Sequence, residues 1–156
     1  LYLVGGTTMV FEGLRDQSID IDITFEVDST LHNEFVQAIR KLKDELHVNI
    51  EESSPADFIP LPQGAKERAT FVGRFGQIDI FHFDYYSIAL SKIARGTQED
   101  FNDVVSLSRS KRIELSMLEK FYREIRPRLA SESLKHDPEE FDRNFEMVQK
   151  MLREIS

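Results

Sequence analysis

The chain has 156 residues, 40% of them hydrophobic, a formal net charge of −8 and no cysteine. That length and apolar content suffice for one compact core, and the missing thiols exclude disulfides, zinc–thiolate centres and cysteine nucleophiles. The acidic balance argues against non-specific coating of nucleic acid, which depends on Lys and Arg displacing counterions, and no apolar run reaches the roughly 18 residues that span a bilayer, so a soluble, cytoplasmic protein with no membrane partner is expected.

In chain order, Leu1 to Val4 reads as a buried strand that starts in mid-element, and Gly5 and Gly6 end it. Met9, Val10 and Leu14 then fall at helical spacing, so a short helix is expected from Thr7 to Leu14. From Ile19 to Val27, Ile and other apolar residues alternate with Asp20, Asp22, Thr24, Glu26 and Asp28. A period of two predicts a strand with one apolar and one acidic face. Leu31, Phe35, Ile39, Leu42 and Leu46 recur every three or four residues behind the candidate caps Asp28 and Ser29, which predicts a long amphipathic helix. The stretch from Val48 to Arg68, with its three prolines, reads as a short strand and an irregular loop. "RATFVGRF" and "QIDIFHF" flank Gly76 as two strands of a hairpin.

The remainder reads as helical, with starts marked by Thr97 and Asp100, by Ser116 and Glu119, and by Asp137, Pro138 and Glu140. In the last helix Phe141, Phe145, Val148, Leu152 and Ile155 form one core-facing stripe. The fold class is therefore α+β: an N-terminal mixed sheet with flanking helices, and a C-terminal helical part. We expect a core over residues 1–110 with a helical extension, 111–156, packed on it.

Two features carry chemistry. Period two places Asp20 and Asp22 on one strand face with Cα atoms roughly 6.5–7 Å apart. Alone, such a face is either a solvent-facing acidic edge or a magnesium site, because a hard cation takes one or two carboxylates plus substrate phosphates. Ahead of it, "VGGTT" offers a backbone that a phosphate can approach closely, with a helix start behind it. Thr7 or Thr8 either adds a hydroxyl donor or simply caps the helix. Together, a phosphate cradle and a carboxylate pair separated by one short helix point to triphosphate chemistry.

"GGTT…SIDIDI" resembles the signature of the nucleotidyltransferase superfamily related to DNA polymerase β: a Gly-Gly pair, Asp-x-Asp about a dozen residues later, and a third acid on a later strand. "GQIDIF" supplies Asp79 as that acid, with Asp84 as the nearest substitute. "SIALSKIARGTQEDFNDVVSL" is similar to the Lys-containing and acidic helices of the branch that includes abortive-infection-type toxin nucleotidyltransferases and their uncharacterised bacterial and archaeal relatives. The resemblance spans roughly residues 1 to 110. It implies a nucleotidyltransferase-like fold in which Gly5, Gly6 and Thr7 contact nucleotide phosphates, Asp20, Asp22 and Asp79 hold two Mg2+ ions (Mn2+ serving in their place), and Lys92 reaches the β- and γ-phosphates. Asp100 and Asp103 match acidic positions that either position bases or support the fold.

In such transfer an acceptor hydroxyl attacks the α-phosphorus of ATP or another NTP and pyrophosphate leaves, so charge builds on both oxygens and two metals stabilise it. His32, His47, His82 and His136 show no triad or ligand spacing and read as structural, with His82 a modest exception because it lies on the same strand as Asp79. Between Arg109 and Arg128 stand seven bases against three acids, a local balance of +4. This stretch is either a solvated helix face or a polyanion contact. With the resemblance it favours RNA, specifically a tRNA 3′ end, as acceptor, in a toxin–antitoxin or phage-defence setting with an antitoxin-like partner. The alternatives are AMPylation of a protein and a non-catalytic nucleotide- or partner-binding module.

Overall fold

The computed structural model describes residues 1–132 and 136–155. The fold is α+β, as its sequence periods predict. Among the described residues, strands β1 (Tyr2–Leu3), β2 (Asp20–Thr24), β3 (Asn49–Glu52), β4 (Thr70–Phe75) and β5 (Ile78–His82) form one mixed sheet in the order β3-β2-β1-β5-β4. β1 runs antiparallel to β2 and parallel to β5, and β2 runs parallel to β3. The chain divides into two compact units, Leu1–Ser53 with Phe71–His82, and Ser54–Thr70 with Phe83–Ser156.

In the first unit, β1 passes directly into helix α1 (Gly5–Phe11), and Leu3, Val4, Met9 and Ile23 supply the buried apolar side chains. β2 departs from the expected alternation, since Ile19 and Ile21 are exposed and only Ile23 is buried. The cause is register. Leu3 pairs with Ile23, so the first residues of β2 run past the end of β1 and have no apolar layer to cover them. Helix α2 (His32–Leu46) is the predicted amphipathic helix, but its N-cap is Leu31. Asp28 accepts from the Thr30 amide in a turn one step earlier, so the expected cap residues shape the entry and not the helix itself. β4 and β5 form the predicted hairpin about Gly76, whose φ of +63° suits a turn that other residues adopt at a cost.

In the second unit, a 3-10 turn (Pro55–Asp57) precedes helices α3 (Tyr85–Arg95), α4 (Gln98–Arg109), α5 (Leu115–Glu132) and α6 (Pro138–Glu154). The stripe Phe141, Phe145, Val148 and Leu152 is buried, as are Leu118, Phe121, Ile125 and Leu129 of α5. Thr97 caps α4 and Asp137 caps α6, as the sequence predicts. Ser116 does not cap α5, which begins one residue earlier at Leu115. The expected boundary at residue 110 falls inside this unit, because α3 and α4 both pack on α6. Asn144 of α6 donates to the Ile93 carbonyl near the end of α3, tying the two together with a hydrogen bond.

Candidate active site

The site is built where β1, α1 and β2 meet in the first unit. Antiparallel pairing carries one residue beyond β1, where the Val4 amide donates to the Asp22 carbonyl at 3.2 Å. The Asp22 amide in turn donates to Thr7 Oγ1 at 2.6 Å. The backbone of the Asp-x-Asp strand is thus tied on both sides to the start of α1. Gly5 has φ +52°, and a Cβ built there would lie 2.5 Å from Asp22 Oδ2. Gly6 is equally confined, its imagined Cβ lying 2.5 Å from Ser18 Oγ and 2.9 Å from Arg15 Nη1. The glycines therefore allow a carboxylate, a hydroxyl and a guanidinium to close on bare backbone. Any larger residue displaces one of the three.

Asp20 and Asp22 share a face of β2, and the parallel register sets Asn49 opposite Asp20 and Glu51 opposite Asp22. Asn49 Nδ2 donates to Asp20 Oδ1 at 2.7 Å and to Glu51 Oε1 at 2.9 Å, so one amide draws both carboxylates inward. Glu51 was not singled out by the sequence reading. Its signal was present in "HVNIEE", a short period-two run behind a helix, and a strand–helix–strand unit places its second strand parallel to the first. The prolines that follow hid it. Ser18 was likewise missed, though it stands two residues before Asp20.

Asp79 is not brought to this pair. Register sets His82 beside Leu3, which places Asp79 four ladder steps from the level of Asp22, about 13 Å along the strands and about 10 Å across them. Magnesium–oxygen bonds are roughly 2.1 Å long. Arg74 instead holds Asp79 with two hydrogen bonds, Nε to Oδ1 at 2.5 Å and Nη2 to Oδ2 at 2.7 Å. The hydrogen bond from Arg74 keeps the Asp79 carboxyl below the usual carboxylate range. Asp84, the substitute acid, lies in the second unit, where it caps α3 through the Tyr86 and Ser87 amides and pairs with Arg68 at 2.8 Å.

Lys92 also belongs to the second unit and is 2% exposed. Its Nζ lies 2.6 Å from Asp103 Oδ2 and 3.4 Å from Asp100 Oδ1. Arg95 pairs with Asp100 as well, and the Thr97 hydroxyl donates to it at 2.8 Å. Burial pushes the Asp100 carboxyl up, yet the bonds and charges of Arg95, Thr97 and Lys92 outweigh it and hold the carboxyl below its ordinary range. Asp100 and Asp103 thus support the α3–α4 corner.

Among the described residues no three His, Asp or Glu side chains are gathered tightly enough to enclose an ion. The chemistry of the donor set nevertheless suits magnesium: the Asp20, Asp22 and Glu51 carboxylates are hard oxygen ligands on neighbouring register positions, and magnesium commonly takes one or two carboxylates together with water and phosphate. No described helix is long and apolar enough to cross a membrane.

Residues 1–153 match the family described as "Nucleotidyltransferase of unknown function (DUF6036)". No curated protein and no solved structure matches the chain.

Proposed function

Since the chain belongs to this nucleotidyltransferase family, we propose that it transfers a nucleoside monophosphate from an NTP to an acceptor hydroxyl at the junction of β1, α1 and β2. One observation carries the reading: the Asp22 carboxylate is packed against the bare backbone of Gly5, with Asp20 on the same strand face and Arg15 beside Gly6. Triphosphate oxygens would accept from the Gly5–Gly6 backbone and from Arg15, whose planar fork suits phosphate. Asp20 and Asp22 hold Mg2+ or Mn2+, and Glu51, opposite Asp22, is the third carboxylate of that face. The metal, when bound, supplies the positive charge that offsets the entering and leaving oxygens. Thr7 fixes the Asp22 backbone, so its hydroxyl serves the site by orientation. Asp79 and Lys92 are assigned to the ion pairs in which they lie.

For the acceptor we favour an RNA hydroxyl. Within the basic stretch, Arg123 pairs with Glu119, Arg126 with Asp142, and Arg128 with Glu124 and Glu132. Arg109, Lys111 and Lys120 are exposed, and the RNA reading rests on them. Because half-neutralised basic faces bind polyanions less strongly, a protein hydroxyl is the second reading. Incubation with α-labelled NTPs, total RNA and cell protein tests both. Label in RNA supports the first, label in protein the second, and label in neither removes the transfer reading.

A further inference from the structure

Helix α1 is poorly equipped to hold its own start. It has seven residues, begins with two glycines, and its N-cap is Val4, whose side chain makes no capping hydrogen bond. Glycines weaken helix starts and an apolar N-cap leaves the first amides without a side-chain partner. Yet this is the segment on which the proposed phosphate contacts lie. Its fixed position must come from contacts with the sheet.

Besides the packing of α1 on β2, one group of those contacts centres on a buried imidazole. His82, the last residue of β5, is 2% exposed, and Thr8 of α1 is fully buried. His82 Nε2 lies 3.1 Å from Glu12 Oε1, and its Nδ1 lies 3.2 Å from Thr8 Oγ1. Phe11 packs edge-on to the ring at 5.5 Å between centroids. An ionised carboxylate only accepts, so Nε2 carries the hydrogen that faces Glu12. A neutral ring then presents its Nδ1 lone pair to the Thr8 hydroxyl, which donates. The imidazole thus joins two points one helical turn apart, at residues 8 and 12, and pins α1 to β5. Thr8 is adjacent to Thr7, which holds the Asp22 amide, so the same short helix connects the buried ring to the carboxylate strand. The sequence marked the histidines as structural, with His82 an exception because it shares a strand with Asp79. Only this one is buried with both ring nitrogens engaged by α1.

We propose that Glu12, His82 and Thr8 form a positioning relay that sets the Gly5–Gly6 backbone for triphosphate binding. None of the three touches substrate. The relay acts through α1, and the proposal rests on the nucleotidyl-transfer reading of that site.

The test is calorimetric binding of a non-hydrolysable NTP with Mg2+, alongside thermal melting, for wild type, Thr8→Val, Thr8→Ser, Glu12→Gln and His82→Phe. Thr8→Val keeps the shape and removes the hydroxyl, and Thr8→Ser restores it. The relay predicts a Kd raised about tenfold, the scale at which outer-shell partners act, in folded Thr8→Val, with Thr8→Ser near wild type and Glu12→Gln close to it, since the glutamine amide oxygen still accepts from Nε2. Should His82→Phe fail to fold, the two Thr8 variants still decide the matter. A folded Thr8→Val that binds NTP as wild type does overturns the relay, even if its melting temperature falls, since that pattern marks a purely structural bond. Wild-type protein that binds no triphosphate overturns the site reading and the relay together.

Discussion

At the residue scale, the two glycines and two aspartates make separable predictions. Asp20→Asn or Asp22→Asn removes a metal-binding charge with little change in volume, and it relieves like-charge repulsion on one strand face. Thermal stability without metal should stay equal or rise while transfer is lost, and paired melting and activity assays read both. Gly5→Ala should behave differently. Its φ of +52° and the 2.5 Å approach to Asp22 Oδ2 penalise any Cβ twice. A left-handed conformation alone costs a non-glycine residue about 1–2 kcal/mol, so both stability and activity should fall. A stable, active Gly5→Ala variant would show that Asp22 does not need this contact. Lys92 separates a structural role from a phosphate role. Lys92→Met leaves Asp103 and part of Asp100 buried without their cation, a loss of about 3 kcal/mol, visible as a lower urea midpoint. Unaltered stability with a raised KM for NTP would return Lys92 to the phosphate role that its resemblance implied.

Elements were legible where a period ran long enough. The helix containing Leu31 to Leu46 and the stripe from Phe141 to Leu152 repeat over several turns, and both elements formed, although Leu31 is the N-cap of α2 and Ile155, expected to extend the stripe, lies past the end of α6 and is only half-buried. β3 was not located as a site element because its four residues precede Pro55, and local pattern cannot announce which strand will lie beside it. That placement is a tertiary fact, set by the α2 crossover. It sets Glu51, and not Asp79, opposite Asp22. Asp84 illustrates the opposite confusion: an acid next to a helix start reads equally as a ligand and as a cap, and here the Tyr86 and Ser87 amides make it a cap.

The α5–α6 pair yields a pH prediction. The Tyr122 hydroxyl donates to Asp142 Oδ1 at 2.5 Å, and Arg126 Nη2 donates to Asp142 Oδ2 at 2.6 Å. Burial, then the bond to Asp142, pushes the Tyr122 phenol up to about 12. Its folded value lies above the ordinary value of about 10, so the associated stability is complete below pH about 10 and is lost as pH rises toward 12. The hydrogen bond from Arg126 holds Asp142 below its ordinary range, so that contribution is present above the usual carboxylate pKa and disappears as pH falls through the folded value. Tyr122→Phe should flatten the alkaline limb of melting temperature against pH and, by removing one of the hydrogen bonds that lower Asp142, reduce the acid limb while Arg126 keeps the rest of it. An alkaline limb identical to wild type would place the titration elsewhere.

At the scale of the whole molecule, a net charge of −8 coexists with a basic stretch that the fold has partly neutralised. Reversal of Arg109, Lys111 and Lys120 to Glu avoids the paired arginines and so spares the α5–α6 packing. If RNA binds there, each lost phosphate contact should flatten the log–log salt slope by roughly 0.7 to 0.9 and weaken acceptor binding, with NTP affinity unchanged. Acceptor binding that keeps its slope after all three reversals would favour the protein hydroxyl. What the sequence could not convey at this scale was pairing across helices: Arg123 and Arg128 meet acids one turn away on α5 itself, but Arg126 finds Asp142 only where α5 meets α6.

The central claim is that Asp20 and Asp22, set against Gly5, support nucleotidyl transfer, and the most direct test follows the α-phosphate. The purified protein is incubated with Mg2+, an acceptor-bearing extract and NTP labelled at the α or at the γ position, and the wild type is compared with Asp22→Asn. We expect α-label on the acceptor, γ-label released as pyrophosphate, and a loss of at least about 100-fold in Asp22→Asn at unchanged thermal stability. Transfer of γ-label to the acceptor, or full α-label transfer by Asp22→Asn, would contradict the account.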